Sequence, residues 1–150
     1  MWPFKKRALT VKELPVDGPW SVSEGKHNGN PMFVRTNVGY RGLPGVAGYD
    51  HQVGIAVPLN HPDPSGFPSP DEGEDLSAIE DMVCRLLDAE NESLFVASIT
   101  TSGMRELVYY TRDPKKVKLK FERVRDSIST HRIQLMIQLD KNWDVYSRLN

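Results

Sequence analysis

The hydrophobic period of this chain changes in a fixed order between residues 49 and 139: two, then 3.6, then two twice, then 3.6, then two. A period of two puts alternate side chains on one face of a strand, and a period near 3.6 puts them on one stripe of a helix. The order therefore reads strand-helix-strand-strand-helix-strand. Tyr49, His51, Val53, Ile55, Val57 and Leu59 alternate in the first strand. Pro58, Pro62, Pro64, Pro68 and Pro70 break it. Ser69-Pro70-Asp71-Glu72 then starts a helix, with Ser69 as N-cap, Pro70 in the first turn and Glu72 completing a capping box. Leu76, Ile79, Val83, Leu86 and Leu87 carry the helical spacing to about Ala89.

The segment 94–100 is apolar on both alternations, as a central strand is. Ser102-Gly103 turns the chain into a second strand over 104–111, rich in β-formers. Asp113-Pro114 caps another helix, with Val117, Phe121, Val124 and Ile128 on one face. Ile133, Leu135, Ile137 and Leu139 alternate in the last strand. Residues 140–146 read as a short closing turn or helix with Trp143 and Tyr146 on one side.

Ahead of this unit, Asn28-Gly29 separates two short strands around 20–23 and 31–35 and supplies the positive φ angles of a tight hairpin. Pro31 cannot donate a ladder hydrogen bond, which points to edge pairing. Gly39, Gly42, Gly45 and Gly48 predict a mobile loop that matches neither a dinucleotide fingerprint nor a P-loop. The sum predicts an α+β fold, a ferredoxin-like β-α-β-β-α-β two-layer sandwich preceded by an N-terminal β-hairpin, with both helices on one sheet face. Residues 18–150 read as a single domain. Residues 1–17, which include the aromatic and basic run Trp2-Pro3-Phe4-Lys5-Lys6-Arg7, read as a flexible N-terminal arm.

At 150 residues, 39% hydrophobic and 26% charged, the chain suits one globular core. A net charge of −1 removes the simplest electrostatic case for a nucleic-acid or membrane binder. Cys84 is the only cysteine, so no internal disulfide forms, and its place in an apolar helical pattern marks it as a buried structural thiol. With no apolar leader and no run long enough to span a membrane, the expectation is a cytoplasmic protein without a transmembrane segment.

Charge is divided between the two helical regions. Residues 70–92 hold nine acids against Arg85, and residues 112–125 hold seven bases against Asp113 and Glu122. Neighbouring helices of opposite charge neutralise each other across their seam. The sharper alternative is that one of them docks a partner, a basic protein for the first or a phosphate backbone for the second.

Chemical motifs are sparse. His27, His51, His61 and His131 are scattered and read as surface residues, so no metal or cofactor is expected. No nucleophile elbow is present, and no catalytic residue is assigned. The strand pair that would carry the stacking aromatics of an RNA-recognition module lacks them on the first strand, which leaves no strong nucleic-acid signal. The most suggestive polar pair is Arg105-Glu106. Neighbours on a strand point to opposite faces, so the two cannot share a side.

Short motifs in order carry a family resemblance. Trp20 and a hairpin ending in Arg35-Thr36-Asn37 come first, then Gly66-Phe67-Pro68 running into the acidic helix with Leu76 and Ile79-Glu80-Asp81. Thr100-Thr101-Ser102-Gly103-Met104-Arg105-Glu106, Tyr109-Tyr110-Thr111, Asp140-Lys141-Asn142-Trp143 and Tyr146 complete the set. Over roughly residues 18–147 the chain resembles a bacterial family of domains of unknown function, number 695. The resemblance implies no activity. The Trp-x-x-Tyr end is also loosely similar to that of bacterial regulators of ribonuclease E, compact α/β proteins that bind an enzyme.

The leading expectation is a non-catalytic protein-binding or regulatory module with a protein partner, its oligomeric state unknown. Its surface would draw on Arg35, Arg105, Glu106, Tyr110, Trp143 and Tyr146. One alternative is a small hydrolase-type enzyme with Arg35, His51, Glu106 and Tyr110 converging in a pocket between hairpin and sheet. The other is nucleic-acid binding through the basic second helix.

Overall fold

Asn28 and Gly29 both adopt positive φ, 52° and 81°, in a two-residue turn that joins β1 (Trp20–His27) to β2 (Asn30–Asn37). The computed structural model describes residues 13–43 and 45–149, so the Trp2–Arg7 run lies outside the described residues. The unit β3 (His51–Pro58), α1 (Pro70–Leu87), β4 (Ser93–Thr101), β5 (Met104–Thr111), α2 (Pro114–Ser127) and β6 (Gln134–Leu139) follows in the expected order, and α3 (Asp144–Arg148) closes the chain. No helix among the described residues is long and apolar enough to cross a membrane.

All six strands form one antiparallel sheet in the order β1-β2-β4-β5-β3-β6. This order differs from that of the expected four-stranded sandwich, because β2 pairs with β4 from Met32↔Thr101 to Thr36↔Ala97 and carries β1 to the sheet edge. Pro31 is therefore not on an edge strand. Its carbonyl accepts from the Thr101 hydroxyl at 2.8 Å, and the ladder to β4 begins one residue later, so the missing N–H leaves no gap.

The sheet carries a core on each face, which corrects the two-layer expectation. On one face, Val53, Ile55 and Val57 of β3 and Leu107 and Tyr109 of β5 meet Leu76, Ile79, Val83 and Leu87 of α1 and Val117, Phe121 and Val124 of α2. On the other, Leu94, Val96 and Ala97 of β4 and Val108 and Tyr110 of β5 meet Leu14, Tyr40, Val46, Tyr49, Trp143 and Tyr146. A bulge between Phe95 and Ala97 shifts the phase of β4, so Leu94, Val96, Ala97 and Ile99 all face the second core while Phe95 packs against the first.

The glycine loop lies across the second face. Gly45 sits at φ 104°, and a Cβ there would come within 2.8 Å of the Trp143 ring. Glycine is needed at this position for both conformation and close approach. Leu14, inside the expected N-terminal arm, is already part of this core.

Two local expectations change. Ser69 caps α1 by accepting from the Glu72 N–H at 3.2 Å, but the Glu72 carboxylate does not complete the box. It accepts instead from the backbone N–H groups of Asn60 and His61 and pairs with His131 Nε2 at 2.7 Å. His131 is consequently buried, not a surface histidine. The charge contrast between the helices is resolved at one end of their seam. Lys120 and Lys116 converge on Glu92 at 2.9 and 3.3 Å, and Lys120 also donates to the Leu86 carbonyl that α1 leaves open.

Candidate functional site

The helices cover only part of their sheet face. Directly paired residues on an antiparallel sheet share a face, which aligns Val22, Arg35, Ser98 and Leu107 in one row and Glu24, Phe33, Thr100 and Arg105 in the next. Leu107 lies under the helices, whereas Val22 at the hairpin end is 60% exposed. The helix-side face therefore runs from a closed core to an open platform on β1 and β2.

An aromatic row bridges the two regions. Trp20 packs on Phe95 with ring centroids 5.1 Å apart, and Phe95 packs on Tyr109 at 4.9 Å. The Arg35 guanidinium lies 5.9 Å from the Trp20 ring centroid, within cation–π range. Arg35 also donates to Glu80 of α1. Arg105 reaches the same place from β5, where its Nε donates to Thr100 Oγ1 at 2.9 Å. Burial lowers the Arg105 pKa, Glu80 opposes that shift, and Arg35 adds to it. Arg35 thus pairs with Glu80, and Arg105 lies within electrostatic reach of both, beside exposed apolar surface. At the α1 end of the platform, Val16, Trp20, Phe95 and Asp88 line a cavity of about 170 Å³.

The site residues expected from the sequence divide between the two faces. Arg35 and Arg105 come together on the helix side. Glu106 lies on the opposite face, as strand alternation requires. Tyr110, Trp143 and Tyr146 are fully buried in the second core and offer no surface to a partner. Tyr110 stacks on Trp143 at 4.1 Å and 9°, and its hydroxyl donates to Asp140 Oδ2 at 2.7 Å. The Asp140 carboxylate also accepts from the N–H groups of Asp144 and Val145, which anchors α3. The Trp143–Tyr146 end is a plug over the sheet.

The hydrolase constellation is not assembled. Arg35 and His51 lie on the helix side at different strands, with His51 beside Pro114 and Lys118. Glu106 and Tyr110 lie on the other face, four residues and roughly 13 Å apart along β5. Sequence reasoning missed Trp20, Val22, Glu80 and Phe95 as neighbours of the two arginines. Val22 faces Arg35 through the hairpin register, but only the pairing of β2 with β4 brings Arg105 and Phe95 alongside, and no local signal encodes that pairing.

Two ionisable groups of α1 flank this region. Burial pushes the Cys84 thiol up to about 12, so it stays protonated, and it contacts the Tyr109 hydroxyl at 2.9 Å. Burial raises the Asp88 carboxyl to about 7. Asp88 sits at the C-cap of α1, where the helix dipole disfavours an anion, and its Oδ1 has no hydrogen-bond partner among the described residues. A carboxyl whose folded pKa is raised contributes fully below its ordinary value of 3.8, and that contribution is lost as pH rises through about 7. The variant Asp88→Asn is expected to melt at the parent temperature at pH 4 and several degrees higher at pH 8. Calorimetry at the two pH values checks this, and equal gains at both would contradict it.

Residues 19–149 fit a family model described as a family of unknown function, DUF695. No curated protein and no solved structure matches the chain.

Proposed function

The chain belongs to the DUF695 family, and from the geometry of its sheet we propose that it is a non-catalytic protein-binding module whose open platform takes an acidic segment of a partner protein. The observation that carries this reading is the excess of guanidinium over carboxylate at Arg35, Arg105 and Glu80, set beside exposed Val22 and the Trp20–Phe95 pair. Arginine and tryptophan beside apolar surface are the residue types that dominate binding energy at protein interfaces. A carboxylate-rich segment satisfies the guanidinium donors that the protein leaves open and gains apolar contact on β1 and β2. We also read the portion β6-β3-β5-β4 as a ferredoxin-like unit that the hairpin extends. The order of elements and the shared helix face support that reading.

A photo-crosslinking residue placed at Val22 in the full chain tests the platform, with Leu119 of α2 as an equally exposed control at 61%. The expected result is a discrete protein adduct from position 22 in cells and none from position 119. Substituting Arg105→Gln in the same chain should weaken capture by about 30-fold, the loss of one interface hot spot of roughly 2 kcal/mol. Adducts of equal yield from both positions, or capture indifferent to Arg105, would count against the proposal.

A further inference from the structure

A second candidate lies on the opposite sheet face. The side chains of Met32, Ile99, Met104 and Leu149 wall a cleft of about 320 Å³, with His27 and the Glu106 carboxylate also lining it. Glu106 lies flat against β3 because residue 54 is glycine. A Cβ there would stand 2.8 Å from Glu106 Oε2 and 3.3 Å from Met136 Cε. The neighbours of residue 54 on that face of β3 are Gln52 and Ala56, and it is the missing side chain at 54 that makes room for the carboxylate. No ion pair or hydrogen bond reaches Glu106 among the described residues, in contrast to Glu80 and Glu92, which have cationic partners, and Glu72, which bonds the His131 ring. Its surroundings act in the same sense, since burial raises its pKa with no opposing charge.

A half-buried carboxylate without a partner loses hydration and gains nothing from the protein in return. We propose that this cleft binds a small organic ammonium ion bearing an apolar group, with the ammonium on Glu106 and the apolar group between the methionines. Each feature narrows the ligand. An anion is repelled by Glu106. A hard metal cation takes six or more oxygen ligands, and the described residues contain no cluster of three metal-binding side chains. Methionine thioethers are flexible and polarizable, and they adapt to alkyl or aromatic groups. The volume lies at the lower end of small-molecule sites, which limits the occupant to a compact molecule.

The test uses the full chain with ¹³C-methyl methionine, titrated in parallel with n-hexylammonium, hexanol and hexanoate. The Met32 and Met104 methyl signals should shift and saturate with hexylammonium at a Kd of about 1 mM or tighter, a realistic value for a ligand of this size. Met82, on α1 across the sheet, should not move. Hexanol should bind at least about tenfold more weakly, as should hexylammonium to the near-isosteric variant Glu106→Gln. Equal binding of hexanol and hexylammonium, unchanged binding to Glu106→Gln, or no saturation at ten times the expected concentration would overturn the proposal. A lysine-containing tripeptide binding more tightly than hexylammonium would overturn the small-molecule assignment in favour of a peptide ammonium.

Discussion

Replacing Trp143 by alanine is expected to cost the protein about 3–5 kcal/mol, the usual range for a large aromatic removed from a core. The ring is fully buried. It stacks on Tyr110, meets Tyr146 edge-on at 5.7 Å and lies 5.3 Å from Tyr40. Its Nε1 donates to the Tyr49 carbonyl at 2.9 Å, so truncation also leaves a buried acceptor without its donor. The cavity would open directly under Gly45, and with it the packing of the glycine loop over β4 and β5. Urea unfolding of parent and variant measures the cost. A side chain serving only as a recognition surface would change stability by about 0.5 kcal/mol or less. A loss below about 1 kcal/mol would therefore argue against the plug and restore Trp143 to the surface. The backbone of Trp143 is left-handed, at φ 58°, which asparagine and glycine tolerate better than tryptophan does. The chain keeps tryptophan there because the ring, not the backbone, is what closes the second face.

The second large effect is expected at Glu72. Its carboxylate joins three segments: the loop after β3 through the N–H groups of Asn60 and His61, the start of α1 on which it sits, and His131 just before β6. Removing a buried, hydrogen-bonded carboxylate costs about 3–5 kcal/mol, because the His131 ring stays buried without its partner and the Asn60 and His61 N–H groups lose their acceptor. Glu72→Leu is expected to lose that much at pH 7. Burial by itself would raise the Glu72 carboxyl, but the Asn60 amide, the His131 ring and the His61 amide together hold it below its ordinary value of 4.5. A depressed folded pKa contributes stability that is present above the unfolded value and disappears as pH falls through the folded one. The gap between parent and Glu72→Leu should therefore be full at pH 7 and narrow once the pH falls below about 4. Denaturant midpoints at pH 7 and pH 3 report it. A gap that does not change with pH would show that packing, and not the carboxylate, carries the effect.

Both residues show where reading along the chain stops short. Glu72 has the spacing of a capping box, and half of the box forms, since Ser69 does cap α1. The other half is lost because a histidine 59 residues away and a returning loop compete for the same carboxylate and win. Trp143 and Tyr146 have the spacing of an exposed pair on one helical side, and they do share a side. That side faces inward, because the glycine loop and Leu14 fold over the same sheet surface and complete the enclosure. Arg105 and Glu106 were separable from sequence, since alternation on a strand is a local rule. Which face each would meet was not, and the answer placed Arg105 with Arg35 and Glu80 and left Glu106 in the methionine-walled cleft.

What the sequence by itself determined is the order of elements from β1 to α3, the two tight turns at Asn28-Gly29 and Ser102-Gly103, and the apolar stripes of α1 and α2. Those features depend on φ preferences, capping and periodicity, which act over a few residues. Only the tertiary structure decided that the hairpin extends the sheet, that a second core exists, and that the open platform and the Glu106 cleft lie on opposite faces. Each of these rests on segments far apart in the chain, such as Trp143 and the Tyr49 carbonyl, 94 residues apart. Burial on a sheet face is set by whichever segment covers it, and the covering segment is chosen by the packing of the whole chain, not by the residues it covers.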